Sequence, residues 1–428
     1  QPFNRSQLPF KKAKTSTLQR TLLQGKKTTT TSTKNQHETQ SMTAESEDNF
    51  TKQCKKAADA LAEADVLLVV TGAGFSADSG LAVYGDVAKV KAYQERNLEY
   101  RDVCQPKWVE TDPELFYGFW GQCFNDYRKT KPHKGYDIIA RWRDDKKMAG
   151  GGKVDNDIRS CLKEKMDVVD GPAGAFHVFT SNADAHFYDY FKAHEIHDCH
   201  GNIELWQCSS RTCESGIWRA PVQHDFFVDT HTMLAPQRKE TDLPKEYSSS
   251  RSIIDKEITP CIGQIKGNGK RDNLLCNMPP SKDRMGWHQD EGTNWPKCGH
   301  CGSLARPAIF MFGDFGWKYD EPQSKRWDLW VETVLDLCED LSVCIMEIGC
   351  GLNVQTCRTT SEQLVEFLVK RGGSVDLVRI NPDFASAPEY SVTEDHIISI
   401  PSKGLRAIEK IDEMYCSRNI NEKDQLRS

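Results

Sequence analysis

Two cysteine pairs carry the most specific spacing in the chain. Cys208 and Cys213 enclose four residues; Cys298 and Cys301 enclose two, within Cys-Gly-His-Cys-Gly. Pairs on short knuckles can set four thiolates tetrahedrally around Zn²⁺, and glycines beside the ligands permit the tight turns that knuckles need. Four thiolates leave no open coordination position, so such a zinc is structural and ties down the long segment between the pairs. Cys261, Cys276, His288 and His300 fall in the same segment, and either spare cysteine could replace one of the four. The N-terminal stretch shows no apolar core of a secretory signal, so the sixteen cysteines are not read as a disulfide framework.

A second constellation is polar. The run Val-Leu-Leu-Val-Val-Thr-Gly-Ala-Gly, residues 66 to 74, ends in glycines that suit a tight strand-to-helix turn and close approach to a pyrophosphate. Gly72-x-Gly74 alone is common punctuation. Ser76 and Ser79 add hydroxyls on the next turn, which could equally be helix caps. Thr-Ser-Asn-Ala-Asp-Ala-His-Phe, residues 180 to 187, follows one candidate strand, and His-Asp-Cys-His-Gly-Asn, residues 197 to 202, follows another. Open α/β sheets place ligands at strand ends, so Asn182, Asp184 and His200 can converge beside the glycine turn. A histidine suits proton transfer near neutral pH. Spacing alone does not choose among His200, His197, His186 and His177.

Residues 66–71 read as a strand buried on both faces of a parallel sheet. Further strands are expected at 176–180, 196–199, 308–312, 343–348, 375–380 and 396–400. Helical patterns occupy 51–64, 325–341, 362–371 and 403–413, with aromatic-rich helices at 112–128 and 136–142. Alternation of this kind predicts a doubly wound α/β sheet. Residues 206 to 302 hold no clear βα unit and contain loop compositions.

The chain has 428 residues and a net charge of −6. Residues 1–41 carry eight Lys/Arg against one Glu with little apolar content, so this tail is expected to be disordered. Its basic, Ser/Thr-rich character suits an organelle transit peptide or a plain tail ahead of Met42. Removing its +7 leaves −13 on the rest, which disfavours nucleic acid as a direct partner. No run of about 18 apolar residues marks a membrane span. An intracellular protein is expected, cytoplasmic or nuclear, or mitochondrial or plastid if the tail is a leader.

In order along the chain, Gly-Ala-Gly-Phe-Ser-Ala-Asp-Ser-Gly, Thr-Ser-Asn-Ala-Asp, His-Gly-Asn, the two cysteine pairs, Ala-Arg-Pro-Ala-Ile-Phe-Met-Phe-Gly-Asp and Ile-Asn-Pro-Asp resemble the sirtuins, over roughly Leu61 to Pro401. The resemblance implies a Rossmann-like NAD domain at 51–206 and 302–428, with a helical insertion near 112–175. It further implies a smaller zinc domain at 207–301, the basic tail forming 1–50. Between the domains it implies a cleft for NAD and an acylated lysine of a protein substrate. By the same resemblance Gly72, Ala73, Gly74 and Ser76 would hold the NAD phosphates, with Ser79 close by. Asn182 and Asp184 would organise the nicotinamide ribose, and His200 would be the base. Cys208, Cys213, Cys298 and Cys301 would bind zinc, Phe312 and Gly313 would offer backbone to substrate, and Gly349, Gly351 and Asn381 would line the adenosine end. The implied activity is NAD-dependent deacylation, a group transfer to ADP-ribose.

The chain departs from the family around the cofactor. Ala82-Val83-Tyr84-Gly85 stands where the family has Pro-Asp-Phe-Arg, so an acid and an arginine are missing and Tyr84 replaces the nicotinamide-shielding Phe. Ser181 replaces a Gln, Gly351 a Ser and Asp314 a Glu. Arg96 and Arg101 could fold back to supply the lost cation, or be ordinary surface residues. ADP-ribosyl transfer to protein or water is therefore an alternative activity, and an inactive zinc-stapled binding module a further one.

Overall fold

The computed structural model describes residues 44–83, 86, 89–165, 172–221, 224–238, 286–290, 292–386 and 394–425. The basic tail to residue 43, Tyr84, Gly85, Cys261 and Cys276 lie outside them. Among the described residues no helix is long and apolar enough to cross a membrane.

Six parallel strands form the main sheet: β1 (Val66–Thr71), β2 (Phe176–Thr180), β3 (Ile196–Asp198), β9 (Ser342–Ile348), β10 (Ser374–Ile380) and β11 (Ile397–Ile400). All six residues of β1 are buried, as its unbroken apolar run requires of a strand covered on both faces. The spatial order is β11-β10-β9-β1-β2-β3. The chain winds outward from β1 through β2 to β3, then crosses to β9 and winds the other way. The winding reverses between β1 and β9, and it is at such a reversal, at the carboxyl ends of the strands, that open α/β sheets hold a ligand crevice.

Helices cover both faces. Leu68 and Ile345 face α6 (Glu321–Leu337) and α7 (Thr356–Lys370) through Trp330, Val334, Leu364 and Leu368. Cys344 lies on the other face with Lys146, which caps Ala62 of α1 (Ala44–Glu63) from the end of α4 (Lys134–Asp145). Helix α8 (Gly404–Gln425) packs on α1 and α4. Helix α1 starts ahead of the expected Thr51 because Phe50 is buried there under the Arg406 guanidinium.

A second apolar cluster is separate from the sheet. Helix α3 (Pro113–Lys129) sends Phe116, Phe119, Trp120 and Phe124 into it, against Trp206, Phe226 and Met311. The expected strand at 308–312 is not one: the strand is β8 (Ala305–Pro307), in a three-stranded antiparallel sheet ordered β5-β4-β8 with β4 (Leu205–Cys208) and β5 (Trp218–Arg219). Residues 308–314 then break away, held by a buried bidentate ion pair from Arg306 to Asp314 at 2.7 and 3.0 Å. β6 (Trp287–His288) and β7 (Lys297–Cys298) form a small hairpin. Helix α5 (Lys153–Lys165), inside the helical insertion expected near 112–175 though without an apolar period of its own, packs on α6; only Asp155, Ile158 and Leu162 are buried.

Candidate active site

The crevice is bordered by the turns leaving β1 and β9. Gly72 N–H donates to Ile348 O at 3.1 Å and Gly74 N–H to Gly349 O at 3.0 Å. A Cβ on Gly72 would come within 2.8 Å of Gly349 O, and one on Gly74 within 2.8 Å of Gly349 Cα. Gly349 itself takes φ +68°. These glycines are thus required first for the two turns to touch. The amides of Gly72 and Gly74 are engaged in that contact, and the helix that follows, α2 (Ala73–Ala77), has only five residues. Gly351 differs: an added Cβ would meet nothing within 4 Å, so open space lies above it.

Two of the serines tie elements together. The Ser76 hydroxyl donates to Asp184, whose other oxygen accepts from His186 N–H at 2.9 Å. Ser79 Oγ accepts from His133 N–H at 3.0 Å, fastening the turn after α2 to the start of α4. Asn381 is likewise spent on its own loop: its amide donates to Cys350 O at 2.9 Å, and its oxygen accepts from Asp383 and Phe384.

Asn182 stands apart. It is 6% exposed, its backbone N–H is bound to Thr180 Oγ1, and its side-chain Nδ2 has no partner among the described residues. A buried amide donor left unpaired costs about 1–3 kcal/mol. Ser181 lies beside it, half-buried, with Oγ 3.4 Å from Thr71 O.

Of the four candidate histidines, three are sealed. His177 lies against Trp327 and Trp330, and burial holds its pKa well below the usual range. His197 stacks on Trp327, and burial pushes it down to about 3. His186 is fully buried and bonds Tyr127 O at 3.0 Å. His200 is half-buried past the end of β3, with Nε2 3.2 Å from Thr356 Oγ1 at the start of α7. Burial lowers its pKa, with Cys357 acting the other way, so the ring is neutral and able to accept a proton at neutral pH. Gly201 next to it has φ +75°, and a Cβ there would strike Ala308 O. Phe310 N–H donates to His200 O at 2.8 Å, which fixes the histidine backbone against the 308–314 segment. Thr356 and Phe310 were not singled out from sequence. Following the βα unit past Gly351 would have found Thr356.

Phe312 N–H donates to Cys104 O at 3.1 Å, and its ring carries the Arg101 guanidinium at 5.4 Å. Gly313 is exposed with φ +71°, and a Cβ added there would meet nothing within 4 Å, so it is an open backbone corner. Asp314 keeps a buried role despite being shorter than Glu, through Arg306. Arg96 approaches Asp112 at 4.0 Å on the surface, so both arginines have other places.

The four cysteines of the two pairs converge. The sulfurs of Cys208, Cys213, Cys298 and Cys301 all lie within 4.8 Å of one another, with Cys208–Cys301 at 3.5 Å and Cys213–Cys298 at 3.9 Å. Tetrahedral Zn²⁺ with Zn–S near 2.3 Å needs S···S of about 3.8 Å, so the donor set and spacing fit. His288 is instead bonded to Asp290.

No protein-family model matches the sequence, and no curated protein sequence matches it. Among solved structures, the chain is similar to a sirtuin studied for substrate affinity, at 17% identity and TM-score 0.44, covering 84% of this chain and 98% of that one. It is similar to a Sir2 homologue in complex with NAD, at 17% identity and TM-score 0.44, covering 86% and 94%. A mutant Sir2 homologue with ADP-ribose is similar at 17% identity and TM-score 0.43, covering 87% and 98%.

Proposed function

We propose that this chain is an NAD-dependent protein lysine deacylase of the sirtuin type, with a structural zinc in the cysteine quartet. The observation that carries the reading is the buried Asn182 amide, unpartnered among the described residues, past the end of β2, with half-buried His200 past the end of the neighbouring parallel strand β3. One side supplies a hydrogen-bond donor for a polar ligand and the other a neutral base. The ordered sequence motifs shared with sirtuins name that ligand as NAD.

Bound NAD would supply an electrophilic ribose carbon and the ADP-ribose that accepts the acyl group. Asn182 would donate to a ribose oxygen, held in place by Thr180. Asp184, fixed by Ser76 and His186 N–H, joins the turn after β2 to α2. His200 would take a proton from a ribose hydroxyl, with Thr356 orienting its Nε2. Phe312 and Gly313 would present backbone to the substrate strand, as in β-augmentation. The acidic surface of the body suits basic, lysine-bearing protein partners.

The loss of arginine and acid at residues 82–85 favours a second outcome of the same chemistry, leakage of ADP-ribose to water or to protein. Incubation with NAD and an acetylated peptide, followed by mass analysis, separates the readings. O-acyl-ADP-ribose is expected. Free ADP-ribose or ADP-ribosylated protein without it would support the second outcome, and absence of released nicotinamide would overturn both.

A further inference from the structure

Two side chains outside the cysteine quartet converge on the turn that follows Cys213. Ser215 is buried, with its Oγ 3.2 Å from Cys213 Sγ and 3.6 Å from Cys298 Sγ. Lys318 arrives from 105 positions downstream of Cys213, and its ammonium donates to Cys213 O at 2.8 Å. It donates to Ser215 O as well. The knuckle is thus closed by a lysine that its own local sequence does not contain.

The backbone that carries Lys318 is fixed independently of its ammonium. Gln207, fully buried on β4 beside Cys208, accepts from Lys318 N–H at 2.8 Å and donates to Gly316 O at 2.7 Å. Trp317 Nε1 donates to Ala308 O at 3.0 Å. The fold therefore delivers the side chain to the knuckle, and charge explains why it is a lysine. Lys318 is half-buried, bonded to carbonyls, and paired with no carboxylate among the described residues. Drawing an ammonium out of water against neutral dipoles alone is unfavourable. Four thiolates around one divalent ion leave two net negative charges, and a cation on the adjoining turn offsets both costs. The hydroxyl has a matching role. A metal-bound thiolate can only accept, so the Ser215 hydroxyl donates, to Cys213 or shared with Cys298.

We propose that Lys318 and Ser215 are positioning residues of the zinc site. Lys318 holds the Cys213 turn and balances the charge of the tetrathiolate, and Ser215 draws electron density from the sulfurs it touches. Groups that support metal ligands in this way are commonly worth about 10–100-fold in metal affinity. The inference rests on zinc occupying the quartet and needs no particular reaction at His200.

The test loads the full chain with zinc and follows metal transfer to a colorimetric chelator, with thermal melting in excess zinc as the check on folding. Lys318→Gln keeps N–H donors for the two carbonyls but removes the charge. It is expected to fold in excess zinc and to bind zinc about 10–100-fold more weakly, whereas Lys318→Arg should recover most of the affinity. Arg211→Met, which removes an exposed cation lying between Cys208 and Cys213, should keep wild-type affinity. For Ser215 the chain is loaded with Co²⁺, whose sulfur-to-metal charge-transfer absorption reads the thiolates directly. A hydrogen bond stabilises the sulfur lone pairs, so Ser215→Ala should move that band to lower energy. Wild-type affinity in Lys318→Gln, or equal weakening by Arg211→Met, overturns the role given to Lys318. An unmoved band in Ser215→Ala overturns the role given to Ser215. Zinc content of the wild-type chain is measured first: a chain that takes up none refutes the quartet reading itself, and this inference with it.

Discussion

His200 differs from its neighbours in access. His177, His186 and His197 are closed in by tryptophans or backbone, while His200 reaches the crevice and contacts a hydroxyl. His200→Ala is expected to lower acyl transfer by about 10²–10⁴-fold with NAD affinity largely kept, because a general base acts in the chemical step. Product mass spectrometry with calorimetry checks both halves; wild-type turnover in the variant would remove His200 from the mechanism. The acid limb of kcat/KM should fall below the usual histidine range, since the base must be unprotonated and burial lowers its pKa. A second residue-scale expectation concerns the missing cation. Arg96 and Arg101 are engaged at Asp112 and Phe312, so neither is placed as its replacement. Gly85→Arg should then tighten NAD binding about tenfold, the worth of one charge-assisted contact. Unchanged affinity by calorimetry would show that the lost arginine is not what limits binding.

At the scale of elements, the zinc knuckles hold together strands that could not persist alone. β5, β6 and β7 have two residues each, and β4 and β7 end on ligands. A closed zinc site contributes on the order of 10 kcal/mol in small fingers. Cys301→Ser should therefore lose metal and solubility together, read by elemental analysis and by soluble yield. Full zinc occupancy in that variant would move the fourth ligand elsewhere. Loss of the module should reach the crevice as well. Cys208 pairs with Ala305 across β4–β8, and Arg306 then anchors the segment that bears Phe310 and Phe312.

At the scale of the whole molecule there are two apolar cores, one built on the sheet and one on α3 with the cysteine knuckles. The sheet core contains buried neutral histidines, and these make stability depend on pH. The folded pKa of His197 is depressed to about 3 by burial, so in the unfolded chain it binds a proton that the folded chain refuses below about 6.5. The stability it contributes is therefore present above that value and lost as pH falls toward 3. His197→Phe should gain on wild type by up to about 1.4 kcal/mol per pH unit across that window, in denaturant titrations at pH 7 and pH 5. Parallel curves at the two pH values would show that His197 is not the group that titrates. Buried Asp198, pushed up to about 6 by burial, has the opposite sign and is common to both proteins, so the comparison cancels it.

Local chemistry was enough for much of this. The buried run of β1, the strands at 176–180 and 375–380 and the cysteine knuckles are written in short-range patterns, because strand burial and knuckle turns depend on residues close in sequence. The identity of the quartet needed the fold: Cys208 and Cys301 lie 93 positions apart, and spacing could not choose between Cys301 and a spare cysteine until the chain closed. The same holds for the candidate histidines. All four fall between positions 177 and 200, and only packing, of His177 and His197 against Trp327 and of His186 against Tyr136 and Tyr127 O, decides which are sealed and which is left half-buried. It also decides that Gly72 and Gly74 meet Gly349. Those contacts join strand ends separated by more than a hundred residues, and parallel pairing across a sheet is information that no local window of sequence contains.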